Sequence, residues 1–281
     1  MEFRPFGPTK REVSVIGEGT WNFERSERET AISALRRGFD LGINHVDTAE
    51  LYGRGEAEGM VGEAVRGRRD GVFLVSKVMP GHASKKGTMA ACEGSLSRLG
   101  TDHLDCYLLH WRGSRPLDET IDAFEELKRE GKILSWGVSN FDIPELEQSL
   151  EIAGKGRIAC NQVLYNLKER SIEHAVVPWC EKHGVAVTAY SPFGHGDFPS
   201  PRTKEGRILE AIANAHGVTA RQVALCFLTR HPSVFAIPKA SSPEHSAENA
   251  AAVEIRLTRD EIERIDEAFP LGPSPSSFRT F

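Results

Sequence analysis

The chain has 281 residues and a net charge of −5, a length that one α/β barrel of about 250 residues with short additions would fill. With 40% hydrophobic and 27% charged residues it is too apolar to be disordered as a whole. The 35 basic residues are outnumbered by 40 acidic ones and form no basic run, which argues against a nucleic-acid surface. Cys92, Cys106, Cys160, Cys180 and Cys226 are scattered and form no CxxC pair, so neither a disulfide framework nor a structural zinc or other metal site is expected. The opening MEFRPFGPTK lacks the apolar core of a secretory signal, and no apolar run reaches the roughly 18 residues of a membrane span. The expectation is a soluble cytoplasmic protein with no membrane partner.

Eight short apolar runs read as buried parallel strands: VSVIG (13–17), INHVD (43–47), VFLVS (72–76), LDCYLL (104–109), ILSWGV (133–138), RIACNQ (157–162), VAVTAY (185–190) and VFAIP (234–238). Helical spacing lies between them. Ile32, Leu35 and Phe39 fall at i, i+3, i+7; Leu117, Ile121, Phe124 and Leu127 continue the habit, as do Ile208, Ile212 and Ala215. Asp142 precedes Ile143 and Pro144 as a helix start, and Thr219 with Gln222 and Thr258 with Glu261 read as capping boxes. Gly42 and Gly184 stop two helices. Strand–helix alternation repeated eight times predicts a (β/α)8 TIM barrel, a single domain over 1–281 with an N-terminal extension, a C-terminal extra helix and a Pro- and Ser-rich tail (270–281). An open doubly wound sheet would also alternate, but it usually carries a glycine-rich first turn. Neither the glycines at 17 and 19 nor those at 53, 55 and 59 keep GxGxxG spacing.

In such barrels the chemistry sits at the C-terminal ends of the strands. The polar residues there are Asp47, with Tyr52 five residues on, Lys77, His110 with Trp111, Ser139 and Asn140, Asn161 and Gln162, Tyr190 and Ser191, and Lys239. Each alone has a structural reading: a cap, a rim lysine, a satisfied histidine, a loop tyrosine. An acid, a lysine, a histidine and a tyrosine converging from three successive strands suggest proton transfer to oxygen. A phenol holds its proton at neutral pH, an adjacent ammonium stabilises the phenolate, and a neutral imidazole can orient a carbonyl. Without a nucleophile elbow, hydride from a cofactor is the economical complement. Two other readings use the same residues: Lys77 as a Schiff-base lysine, and a non-catalytic nucleotide-sensing barrel.

The segments 42–65, SKV (76–78), 96–111, GKILSWGVSNF (131–141), NQVLYN (161–166), AYSPFG (189–194) and 237–252 resemble the aldo-keto reductases, in order and over nearly the whole chain. The resemblance implies NADPH-dependent reduction of aldehydes or ketones, small carbonyl substrates, and a monomer or simple homo-oligomer. It implies that Asp47 pairs with Lys77, Lys77 lowers the Tyr52 pKa, Tyr52 is the general acid and His110 orients the carbonyl. Ser139, Asn140 and Gln162 would hold the nicotinamide carboxamide and Tyr190 would stack on its ring. Ser191, Pro192 and Phe193 would follow the pyrophosphate. Ile237, Pro238, Lys239, Ala240 and Ser241 would run beside the adenosine 2′-phosphate, with Glu248 and Asn249 at the adenine. Gly19, Thr20 and Trp21 match a family segment beside the cofactor, and Trp21 and Trp111 would line the substrate pocket. Many members carry Arg where this chain has His245, so NADPH preference is expected with NADH as a weaker alternative. Short loops after His110 and after His195 imply an open pocket of broad specificity.

Overall fold

The computed structural model describes residues 1–274. It begins with an antiparallel hairpin of β1 (Phe3–Pro5) and β2 (Glu12–Ser14), with Phe3 opposite Ser14. Eight parallel strands follow: β3 (Glu18–Gly19), β4 (His45–Asp47), β5 (Phe73–Val78), β6 (Leu104–Leu109), β7 (Ile133–Ser139), β8 (Ile158–Leu164), β9 (Ala186–Tyr190) and β10 (Val234–Ala236). They are hydrogen-bonded in sequence order from β3 to β10. Parallel bridges from Ile16 to Ala236 and from Gly19 to Lys239 join the first strand to the last and close the barrel.

The first predicted strand needs correction. Val13 and Ser14 pair with the chain's opening residues, while Val15 and Gly17 exchange backbone hydrogen bonds with Ala236 of β10, and the barrel's own first strand is the two-residue Glu18–Gly19. An apolar run reports burial, not the partner it is buried against. Here Val13 joins Phe6 in a plug under the barrel, where both meet Phe73, Val75, Cys106, Leu108, Cys160 and Phe235.

The helices α1 (Arg28–Asp40), α2 (Glu56–Val65), α3 (Lys85–Leu99), α4 (Leu117–Arg129), α5 (Ile143–Ala153) and α6 (Val176–His183) follow β3 to β8 in turn. An additional helix, α7 (Lys204–His216), precedes α8 (Ala220–Leu228); α9 (Pro243–Ala251) follows β10, and α10 (Arg259–Ala268) ends the described helices. α10 is the expected C-terminal extra helix, and it packs on α7. The capping boxes of α5, α8 and α10 form at Asp142 and Glu145, Thr219 and Gln222, and Thr258 and Glu261. Gly184 ends α6 in the left-handed conformation. Of the Pro- and Ser-rich tail, 275–281 lie outside the described residues. Among the described residues no helix is long and apolar enough to cross a membrane.

Strand alternation decides what the barrel presents upward. Successive side chains point to opposite faces. On β5, Leu74 and Val78 pack in the outer apolar layer, while Phe73 and Val75 face the axis. The same parity carries Lys77 inward, two residues above Val75. On β6, Cys106 and Leu108 face inward and Tyr107 and Leu109 outward, so His110 continues the inward series at the top. On β4, His45 faces Phe6, Phe73 and Phe235, and Asp47 stands above it.

Candidate active site

Lys77 organises the upper end of the barrel. It is 0% exposed, and its Nζ donates to Asp47 Oδ1 at 2.6 Å, the Thr48 carbonyl at 2.8 Å and the Tyr52 hydroxyl at 3.2 Å. Asp47 Oδ2 accepts from Gln162 Nε2 at 2.7 Å, so both oxygens of this buried carboxylate are engaged. Tyr52 arrives by a tight turn after β4 in which Gly53 and Arg54 both take positive φ. The turn folds the phenol back over the strand end, with Lys77 Nζ 4.8 Å from the ring centroid. The ring of His110 stands edge-on to Tyr52, centroids 5.7 Å apart.

The electrostatics follow from burial and from Lys77. Burial pulls the Lys77 pKa down, but Asp47 and then Tyr52 outweigh it, and the net direction is up: the lysine is an ammonium. Burial pushes the Asp47 carboxyl up, and the ammonium beside it pulls back. For Tyr52 the expected lowering by Lys77 is present but is not the largest effect. Burial raises the phenol above its ordinary value, and Lys77 offsets only part of that. The ammonium does favour the phenolate, as expected, but the net effect keeps the proton on Tyr52. Burial, reinforced by the Lys77 charge, pushes His110 down to about 2, so its imidazole is neutral.

Asp47, Tyr52 and His110 open onto a cavity of about 670 Å³, with Lys77 enclosed behind them. Its wall includes Gly19, Thr20, Trp21, Asp47, Tyr52, His110, Trp111, Ser139, Asn140, Gln162, Tyr190, Ser191, Pro192, Phe193, Ile237 and Lys239. Gly19 is required where it stands, since a Cβ there would lie 2.6 Å from the Ile237 carbonyl oxygen. Asn140 and Ser191, at the ends of β7 and β9, both hold positive φ, 61° and 51°. Asn tolerates that conformation better than most residues. The Asn140 amide donates to the Ser139 hydroxyl at 3.1 Å and the His110 carbonyl at 3.2 Å, and its oxygen accepts from the Tyr190 hydroxyl at 2.9 Å. Among the residues of the wall, one buried polar side-chain atom has no protein partner, Nδ1 of His110. Trp21 and Trp111 are 46% and 41% exposed and flank the mouth.

The remaining predicted residues do not line this cavity. Pro238 and Ala240 are buried, and the Pro238 carbonyl accepts from Gly19 N. Ser241 follows them in the link to α9, while His245, Glu248 and Asn249 lie on α9 itself. His245 is exposed and Asn249 buried, and Glu248 accepts from the Thr219 hydroxyl at 2.7 Å. Ser242 caps α9 by accepting from His245 N. Sequence reasoning missed Asn22, Leu51, Gly194, His195 and Gly196, all in the cavity wall. His195 reaches across the mouth, its ring edge-on to Trp21 at 4.7 Å and its Nε2 3.1 Å from the Ser191 hydroxyl. The glycines on either side, both at positive φ, were the available signal that this segment folds back. Among the described residues no cluster of three metal-ligating side chains occurs.

Comparison with known proteins agrees with this architecture. Residues 15–269 match the model of the aldo/keto reductase family. The chain is 44% identical over 260 residues to methylglyoxal reductase YeaE of Escherichia coli, covering 92% of each. It is 30% identical over 267 residues to the glyoxal reductase of Bacillus subtilis, covering 94% of this chain and 93% of that one. A crystal structure of an aldo/keto reductase from Klebsiella pneumoniae in complex with NADP and acetate superposes with a TM-score of 0.93 at 44% identity, covering 100% of both chains. The chain belongs to the aldo/keto reductase family.

Proposed function

We propose that this protein reduces small aldehydes and ketones with NADPH, Tyr52 giving the proton to the carbonyl oxygen. The observation that carries the reading is the chain Asp47–Lys77–Tyr52 ending at a cavity wall beside a neutral His110. The cavity fits a cofactor of this kind on its own terms. It has the size of a ligand site, an unpartnered His110 Nδ1, the amides of Asn140 and Gln162 in its wall, and the Lys239 ammonium at its edge. Ser139, Asn140 and Gln162 would hold the carboxamide, Tyr190 the ring face, and Lys239 the 2′-phosphate. Bound NADPH supplies a hydride.

The protein's own groups handle the proton. His110 and Tyr52 orient the carbonyl oxygen. Tyr52 keeps its proton until charge develops on that oxygen, then transfers it. Lys77 stabilises the phenolate left behind, and Asp47 holds Lys77 charged and in place. Tyr52 is partly exposed, so water can return the proton. Lys77 is enclosed and engaged by three oxygens, which disfavours a Schiff-base role.

Exposed Trp21 and Trp111 leave room for compact substrates. Relatives bear the names methylglyoxal reductase and glyoxal reductase, and small dicarbonyls are the class we assign first. The test is cofactor oxidation across a panel of 2-oxoaldehydes, aldehydes and ketones, with NADPH and NADH in parallel. Turnover of small dicarbonyls, faster with NADPH, is expected; tight NADPH binding with no turnover of any carbonyl would refute the enzyme reading.

A further inference from the structure

Outside the Tyr52 chain three further acids are buried, Glu18, Glu58 and Asp105; Glu58 pairs with Arg98 and Asp105 with Arg69, while Glu18 forms no ion pair among the described residues. Glu18, in β3, is 0% exposed, and its side chain enters the layer between β3, α1 and α9. Its Oε1 meets the hydroxyl of Ser246, on the buried face of α9, and its Oε2 is buried without a partner. α1 makes room by carrying Gly38 at the contact, where a Cβ would strike Glu18 Oε1 and lie 2.9 Å from Ser246 Oγ. Among the described residues no charged group faces the carboxyl. From β4 the registered neighbour is Val46, from α1 Gly38 and from α9 Ser246. The nearby ionisable residues of those helices, Arg36, Arg37, Glu244 and His245, are exposed. Burial raises the carboxyl to about 8, with the Ser246 hydroxyl pulling the other way, so at neutral pH Glu18 is an acid and not an anion.

We propose that Glu18 is a positioning residue for the adenosine end of the cofactor. Its hydrogen bond to Ser246 sets how α9 lies on β3, and α9 carries His245, Glu248 and Asn249. The next residue of β3, Gly19, bridges to Lys239. Two adjacent residues of one strand therefore fix both halves of the 237–249 segment relative to each other. An apolar side chain at 18 would fill the same layer but would give α9 no directional contact; a buried polar pair selects one arrangement. The inference rests on reading 237–249 as the NADPH segment.

The experiment uses Glu18→Gln, which keeps a hydrogen-bonding head, Glu18→Leu, which keeps only volume, and Ser246→Ala, which removes the partner. NADPH and NADH dissociation constants are measured by fluorescence, and hydrogen exchange of the α9 amides is measured on the cofactor-free protein. Glu18→Leu and Ser246→Ala should weaken NADPH binding about tenfold, the loss of one buried hydrogen bond, and speed exchange in α9. Glu18→Gln should stay near the wild type in both. As pH rises through about 8, wild-type NADPH binding should weaken while that of Glu18→Gln stays level. Wild-type NADPH affinity and unchanged α9 exchange in Ser246→Ala would overturn the inference and leave the proposed function standing. Failure of the wild type itself to bind NADPH would overturn both.

Discussion

Lys77→Met removes one ammonium and three hydrogen bonds from the centre of the site. The methionine fills much of the lysine's volume, so the loss is electrostatic before it is steric. Asp47 would then keep only the Gln162 amide at 2.7 Å, as a buried carboxylate facing no cation. Breaking a buried pair by removing one partner typically costs about 3–5 kcal/mol. The sign of the pH dependence follows. Without Lys77, burial leaves Asp47 with a folded-state pKa above its unfolded value. The penalty is therefore absent below the reference carboxylate value of about 4 and grows as pH rises above it toward the raised folded-state pKa. Replacing Asp47 as well, in Asp47→Asn/Lys77→Met, should restore most of the lost stability. Catalysis should not recover, because the phenolate of Tyr52 would still lack its ammonium at 3.2 Å. Both variants should lose roughly 10²–10⁴ in rate. Urea unfolding followed by tryptophan fluorescence, at neutral and acid pH, reads the stability, and NADPH oxidation reads the activity. A stability change under about 1 kcal/mol in Lys77→Met, or no recovery in the double variant, would refute the coupling.

Three buried groups set a further pH dependence. Burial pushes His45 down to about 3 and His110 to about 2, so unfolding lets both take up protons below about pH 6.5; stability from them is present above that value and is lost as pH falls, by about 2 kcal/mol each between about pH 7.5 and 5. Glu18, raised to about 8, acts in the opposite sense: its contribution is present below about 4.5 and lost as pH rises toward 8, roughly 3 kcal/mol over the same window. Glu18→Gln should therefore lose stability more steeply on acidification than the wild type; equal slopes in a urea-midpoint series would contradict these assignments. Lys239→Ala should weaken NADPH roughly ten- to hundredfold and NADH little, since only NADPH has the 2′-phosphate. His245→Arg should tighten NADPH selectively by restoring a bidentate cation; equal effects on both cofactors in a binding titration would remove 237–249 from the adenosine site.

The barrel was legible because its strands are apolar on both faces. β5 and β6 are mostly apolar, interrupted only by Ser76 and Lys77 in one and Asp105 in the other, and their inward parity carries Lys77 and His110 to the top without any tertiary information. Tyr52 was legible as a polar residue just beyond β4, but nothing in its five-residue spacing from Asp47 states that the turn at Gly53 folds it back over Lys77. β3 was illegible for a physical reason. Two residues, one acidic and one glycine, carry no apolar signal, while the apolar Val13 and Val15 before them attracted the strand assignment. His195 was missed because a loop histidine between glycines acquires a place only when the chain returns across Trp21. The net direction of the Tyr52 shift was also beyond the sequence. The spacing names the neighbouring cation, but only the packed site shows that burial outweighs it.

The central claim is that Tyr52 is the proton donor in a site that binds NADPH independently of it. Tyr52→Phe keeps the ring and its edge contact with His110 while removing the hydroxyl that Lys77 holds. NADPH affinity by fluorescence titration and turnover of a small dicarbonyl, measured on the same preparation, separate binding from chemistry. The account predicts an unchanged dissociation constant and a rate lower by roughly 10²–10⁴. Turnover near the wild-type rate with Tyr52→Phe would contradict it.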